Sequence, residues 1–144
     1  MDAKAYLKQV FKLDTLITNK LLEKERWKAI ALNTTARYEG ERVQTSGNPQ
    51  KMSDAIARYM DIEQEINADI DSLIDRKRDI SRLIENLPVA EYDVLHKRYI
   101  QGMTFDEIGA AVDKSKSWAT SVHGRALHSV QGLLDEKENK DGLL

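Results

Sequence analysis

Along residues 51–86 apolar side chains recur at a strict three-four spacing, and that period leaves few folds open to the chain. Positions 56, 59, 63, 66, 70, 73, 77, 80, 84 and 87 read Ile, Tyr, Glu, Ile, Ile, Leu, Lys, Ile, Ile, Leu, so eight of ten are apolar. Such a series lines one face of an α-helix and reads as a coiled-coil seam. Ile62, Ile74 and Leu83 lie beside it and widen the stripe beyond a single partner. A first long helix is expected over residues 3–38, with Leu7, Val10, Phe11, Leu13, Ile17, Leu21, Trp27 and Ala31 among its apolar positions. The turn-rich residues 39–50 separate the two, with Asn48 as a cap and Pro49 in the first helical turn. Two helices of roughly 54 Å joined by one loop fold back as an antiparallel hairpin.

Charge supports that pairing. Lys4, Lys8, Lys12, Lys20, Lys24 and Lys28 form a basic stripe on the first helix, while Asp61, Glu65 and Asp69, and then Asp71, Asp75 and Asp79, form acidic stripes on the second. Folding back brings Lys20 and Lys24 near Asp61, Glu65 and Asp69, and Lys8 and Lys12 near Asp75 and Asp79. Each exposed pair contributes at most ~1 kcal/mol, so together they set register and orientation more than stability. Two helices alone cannot bury so wide a stripe; the remainder needs the C-terminal segment, a second copy or another protein.

Pro88 ends the second helix, and residues 89–100 carry Val89, Tyr92, Leu95, Tyr99 and Ile100 at helical spacing, with Asp93 and Lys97 as an i,i+4 pair closed by Gly102. Thr104 and Glu107 then form a capping box. Phe105, Ile108 and Val112 make one apolar stripe, and Ser115 opens another helix whose inner side carries Ala119, Val122, Ala126, Val130 and Leu133. Two helices joined by about four residues cross rather than lie antiparallel, which leaves the start of the second free for a major groove. Lys116, Ser117, Thr120 and Ser121 point away from the inner face and are the candidates for base contact. Thr104, Lys114, Ser115 and Arg125 are the phosphate candidates, with pairing to Glu107 the alternative for Arg125. Gly124 sits in mid-helix, where close approach of DNA or a neighbouring helix would explain it, and Trp118 is expected to pack on the preceding helices.

The residues Arg98-Tyr99, Gly102, Thr104-Phe105-Asp106-Glu107-Ile108, Ser115, Ala119 and Arg125-Ala126-Leu127 together resemble region 4 of sigma-70-type factors, a domain that reads promoter DNA. The ending His123-Gly124-Arg125-Ala126-Leu127 is similar to that of region-4-like regulators and late-gene activators of Gram-positive prophages. The family often has Ala where Gly109 stands, a difference expected to be harmless. It frequently has Arg and Gln where this chain has Thr120 and Ser121, so no promoter sequence carries over. The helical periods and the resemblance together give an all-α chain: a hairpin over residues 1–87 for oligomerisation or partner docking, a helix-turn-helix domain over 88–135, the part the resemblance carries, and a polar, frayed tail over 136–144. The resemblance also implies a DNA-binding transcriptional regulator, an activator of phage or mobile-element genes.

Composition sets the partners. Residues 88–134 hold five basic and five acidic side chains, and the whole chain has a net charge of −2. Phosphate neutralisation supplies most sequence-independent affinity, so one copy alone should hold double-stranded DNA weakly. A homodimer through the hairpin would double the contacts, with RNA polymerase contact as the competitor. The neutral balance also leaves open a region-4 mimic that binds RNA polymerase or a host sigma factor without DNA, and a small terminase-like DNA-packaging protein. Cysteine is absent, which suits a reducing bacterial cytoplasm, and no run is apolar enough to span a membrane. His96, His123 and His128 are the only imidazoles and read as packing or surface residues, so neither catalysis, metal nor cofactor is expected.

Overall fold

A computed structural model describes residues 1–40 and 48–142, with side chains described outside 34–48. All described regular structure is helical: α1 (Ala3–Gly40), α2 (Asn48–Ile84), α3 (Val89–Leu95) continued by a π-helical turn (His96–Ile100), α4 (Phe105–Ala111) and α5 (Lys116–Gly142). Pro49 stands in the first turn of α2, where its missing N–H costs nothing; residues 41–47 of the expected turn lie outside the described residues.

The chain divides into two compact units, residues 13–72 and residues 1–12 with 73–144. In the first unit α1 and α2 run antiparallel. Lys20 Nζ lies 2.7 Å from Asp69 Oδ2, Lys24 Nζ 3.5 Å from Glu63 Oε1, and Arg58 reaches Glu23 at 3.1 Å and Glu65 at 3.7 Å. Lys24 therefore meets Glu63 rather than Asp61. Asp75 and Asp79 are bound instead by Arg78 and Arg76 of their own helix, each at 3.9 Å, and not by Lys8 or Lys12.

Ile66, Ile80 and Ile84 of the expected seam are buried, but over residues 55–70 the buried row is rotated from the expected one. Ala55, Ile62 and Ile66 are buried, whereas Glu63 is exposed and Ile56 and Ile70 remain largely open to solvent. Ile62, expected at the margin, is central. Ile56 and Ile70 fall on an outer stripe, where a two-helix layer has nothing to cover them.

The second unit holds the larger core. The start of α1 (Ala3, Leu7, Val10) and the end of α2 (Ile80, Ile84) pack with Leu95 and Tyr99 and with Ala126, Val130 and Leu134 of α5. Both hairpin ends thus belong to the same compact body as the helix-turn-helix, so the units divide elsewhere than at Pro88. Lys77, polar at a seam position, donates to the Ile100 carbonyl at 3.3 Å, satisfying an acceptor the helix end leaves free. Asp2 Oδ2 accepts from Ala5 N at 3.1 Å and Gln131 Oε1 from Ala3 N at 2.7 Å, so α1 is capped by its own residue and by α5.

Three further expectations differ from the structure. Leu134, not Leu133, is the buried residue near the end of α5, because 126, 130 and 134 continue one four-residue row. Residues 135–142 continue α5 as an exposed helix rather than fraying. Val89, counted on the inner face of α3, is 83% exposed, since it occupies the first position after Pro88.

Candidate nucleic-acid interface

Local chemistry fixes where α4 and α5 begin. Glu107 N donates to Thr104 Oγ1 at 3.2 Å, and the Thr104 hydroxyl donates to Glu107 Oε1 at 3.0 Å, so cap and carboxylate satisfy each other. Trp118 N donates to Ser115 Oγ at 3.0 Å and caps α5 in the same manner. Between them the chain turns through Asp113 at φ 59°, a left-handed conformation that Asp tolerates better than most residues.

Gly109 makes this turn close. Its carbonyl accepts from Lys114 N at 2.7 Å, and a Cβ built there would lie 2.8 Å from the Lys114 oxygen and from the Ser115 carbonyl group. The difference from the Ala that the family often has, expected to be harmless, therefore has a structural consequence: an added Cβ would meet backbone, which has no rotamer by which to yield. Gly102, at φ 72°, closes the preceding π-helical turn. Gly124 differs, since nothing lies within 4 Å of its missing Cβ, and no neighbouring helix of the chain explains it.

A small core holds α4 on α5. Val94, Ile108, Ala119 and Val122 are buried, with Met103, Phe105 and Trp118 half-buried against them. Val112 is half-buried and Ala126 buried, the latter in the larger core. Trp118 accordingly packs on the helices that precede α5.

The sequence reading missed the polar centre of this body. His123 is buried, its Nε2 hydrogen-bonded to the Tyr99 hydroxyl at 2.7 Å, its ring stacked on Tyr99 and edge-on to Phe105 at 5.0 Å. The signal was present, because 119, 123, 126 and 130 keep the three-four spacing of the inner face. Arg98 lies over the rings of Phe105 and Phe11, at 4.5 and 5.2 Å, and donates to the Met103 carbonyl at 3.0 Å. Burial, followed by the charges of Arg98, Lys4 and Lys8, lowers the His123 pKa to about 4. The ring is therefore neutral at physiological pH and structural.

The opposite face of α5 is open. Lys116, Ser117, Thr120 and Ser121 are all exposed. Thr120 Oγ1 donates to the carbonyls of Lys116 and Ser117 at 3.2 and 3.0 Å, which commits its proton and leaves the oxygen free to accept. Lys116 Nζ stands 4.0 Å from Asp106 Oδ2, an acidic neighbour the sequence reading did not foresee. Thr104, Lys114, Ser115 and Arg125 are likewise exposed. The Thr104 proton is committed to Glu107, whereas Ser115 uses only an acceptor lone pair and can still donate. Among the described residues Arg125 forms no ion pair, to Glu107 or any other acid.

A short capped helix, a tight turn and a longer capped helix with an outward polar row at its start define a helix-turn-helix module. Residues 83–131 match the family model described as Sigma-70, region 4, which spans α3, the π-helical turn, α4 and most of α5. A region of that type points to DNA binding in a transcription-related role. No curated protein and no solved structure matches the chain. No helix among the described residues is long and apolar enough to cross a membrane.

Proposed function

We propose that the chain is a sequence-specific, non-enzymatic DNA-binding regulator that lays the start of α5 in the major groove. The single observation that carries this reading is the row Lys116, Ser117, Thr120 and Ser121, exposed along the first two turns of a capped helix inside the region-4 match. Lys116 suits the O6 and N7 acceptors of guanine, and the exposed Thr120 side chain suits a thymine methyl. Lys114, Ser115 and Arg125 serve phosphates, with Thr104 requiring release from Glu107 first. Extra affinity comes from a second copy or from RNA polymerase. The ending of residues 123–127 supports a prophage or mobile-element setting, and activation rather than repression.

The second reading, a region-4 mimic that binds a protein in place of DNA, draws on Asp106. Its carboxylate beside Lys116 offsets the one lysine of the row and would repel a phosphate. Selection of bound duplexes from a random-sequence pool at low salt separates the two readings. Enrichment of a defined site, with affinity lost by about 1–3 kcal/mol for each base contact removed in Lys116→Ala and Thr120→Ala, supports the regulator. Absence of any retained duplex supports the mimic.

A further inference from the structure

We propose that the start of α1 is a second DNA-contacting element, in which the Lys4 and Lys8 ammonium groups hold phosphates of one strand of the duplex whose groove receives α5. The residues concerned lie in one compact unit, residues 1–12 with 73–144. Within it α1 runs back along α5 toward the open face. The Met1 ammonium meets Glu138 Oε1 at 2.6 Å, Gln131 accepts from Ala3 N and donates to the Met1 carbonyl, and Leu7 packs with Ala126 and Val130, with Leu127 half-buried against them. Phe11 then stacks on Tyr99 at 5.2 Å, whose hydroxyl holds His123. Thr120, Gly124, Leu127 and Gln131 keep a four-three-four spacing, so the flank of α5 that α1 follows is the one that begins with Thr120 of the exposed row. Lys4, Lys8 and Phe11 keep the same spacing on α1, which sets both lysines on the side that Phe11 turns toward Tyr99. Burial, then Arg98, then Lys4 and Lys8 hold the His123 pKa down, as expected of ammonium groups within electrostatic reach of α5.

The positive charge of this corner is left unanswered by the protein. Lys4 and Lys8 are exposed and, like Arg98, form no ion pair among the described residues. The Arg98 Nε is buried without a hydrogen-bond partner. Acids at this end of α1 are engaged elsewhere: Asp2 caps the helix through Ala5 N, and Glu138 holds the Met1 ammonium. Like charges gathered without a counter-ion repel one another, and a polyanion laid across them relieves that repulsion. Gly124 fits the same picture. It stands between Thr120 and Leu127 on the shared flank, with nothing within 4 Å of its missing Cβ, so a sugar-phosphate strand can pass close to α5 there. A duplex suits the site better than an acidic protein, because the two lysines extend a face that already offers Lys116 and Thr120 to a groove. The inference rests on the DNA-binding reading and supplies affinity from within a single copy.

Titrations of the full chain against a selected duplex and against one of random sequence, at several salt concentrations, provide the test. Lys4→Gln with Lys8→Gln is expected to flatten the salt slope, log K against log salt, by about 1.8, at about 0.9 for each phosphate released. Both duplexes should weaken by the same factor, leaving site preference intact, because a phosphate contact carries no sequence information. Lys4→Arg with Lys8→Arg should keep the wild-type slope. Helical circular dichroism and the thermal midpoint should stay at wild-type values in both variants, since neither lysine is buried or paired. A Gln variant with wild-type slope and affinity overturns the proposal, even if it loses a protein partner. So does an Arg variant as weak as the Gln variant. The groove assignment fails separately, through a Lys116→Ala, Thr120→Ala variant that keeps wild-type site preference, and a wild-type chain that retains no duplex removes both.

Discussion

Gly109 shows how far a single missing atom can shape this molecule. Its absent Cβ is the space into which the Lys114 and Ser115 backbone turns, and α5 starts one residue later. Gly109→Ala is expected to lower unfolding stability by about 1–3 kcal/mol, the usual cost of forcing an atom into packed surroundings, read as a shift in the denaturant midpoint. Gly124→Ala should do the reverse, adding about 1 kcal/mol, because nothing lies near that position and Ala is the better helix former. If DNA approaches Gly124 closely, the same variant binds duplex more weakly while being more stable. His123 predicts a pH dependence. Its folded pKa of about 4 lies below the unfolded value near 6.5, so the unfolded chain binds the extra proton. Stability is complete above pH 6.5 and falls through the window down to pH 4, by up to about 3 kcal/mol. Thermal unfolding at pH 7.5, 6, 5 and 4 should show that slope, and His123→Gln should flatten it. Neither Gly109 nor His123 was legible as what it is. A glycine in a short helix gives no sign of backbone two turns away, and the polarity of His concealed a position whose spacing was that of the core.

The helices themselves were legible because their signals are local. Thr104 and Ser115 each stand at the start of a helix with the right side-chain oxygen, and both make the bonds that oxygen permits. Ser115→Ala should destabilise the module by about 1 kcal/mol, with amide exchange rising first at Trp118, whose N–H loses its acceptor. The helical period of α2 was equally plain, and Ile66, Ile80 and Ile84 are buried as expected, but the face buried near Ile56 was not. The apolar residues of α2 spread over more than one row, Ile56 and Ile62 lying about 120° apart on the helical wheel, so periodicity alone does not say which of them is covered. What decides between them is the partner, and α1 lies against Ala55, Ile62 and Ile66. The charge stripes show the same limit: Lys20 met Asp69 as expected, while Arg76 and Arg78 claimed the acids assigned to Lys8 and Lys12. Long side chains reach i±3 neighbours as easily as a second helix, and sequence spacing does not rank those choices.

For the molecule as a whole, the neutral balance of the region-4 part limits how DNA binding can work. Lys114, Lys116 and Arg125 are the cations near the open face of α5, so that face should neutralise about three phosphates and contribute about −3 to the salt slope, log K against log salt. Two copies that both engage the duplex should roughly double that slope. Titrations at several salt concentrations check this directly. Burial of both hairpin ends in the core of the helix-turn-helix unit was not readable from Pro88, which marks where a helix stops and carries no information about where its neighbours pack. DNA recognition by this chain turns on which surface meets the duplex. Titrating isotope-labelled protein with a selected duplex and following backbone amide shifts measures that surface. The largest changes should fall between Ser115 and Ser121 and at Arg125, with the hairpin residues 55–66 unmoved. Changes confined to the hairpin, or none anywhere at saturating duplex, would contradict it.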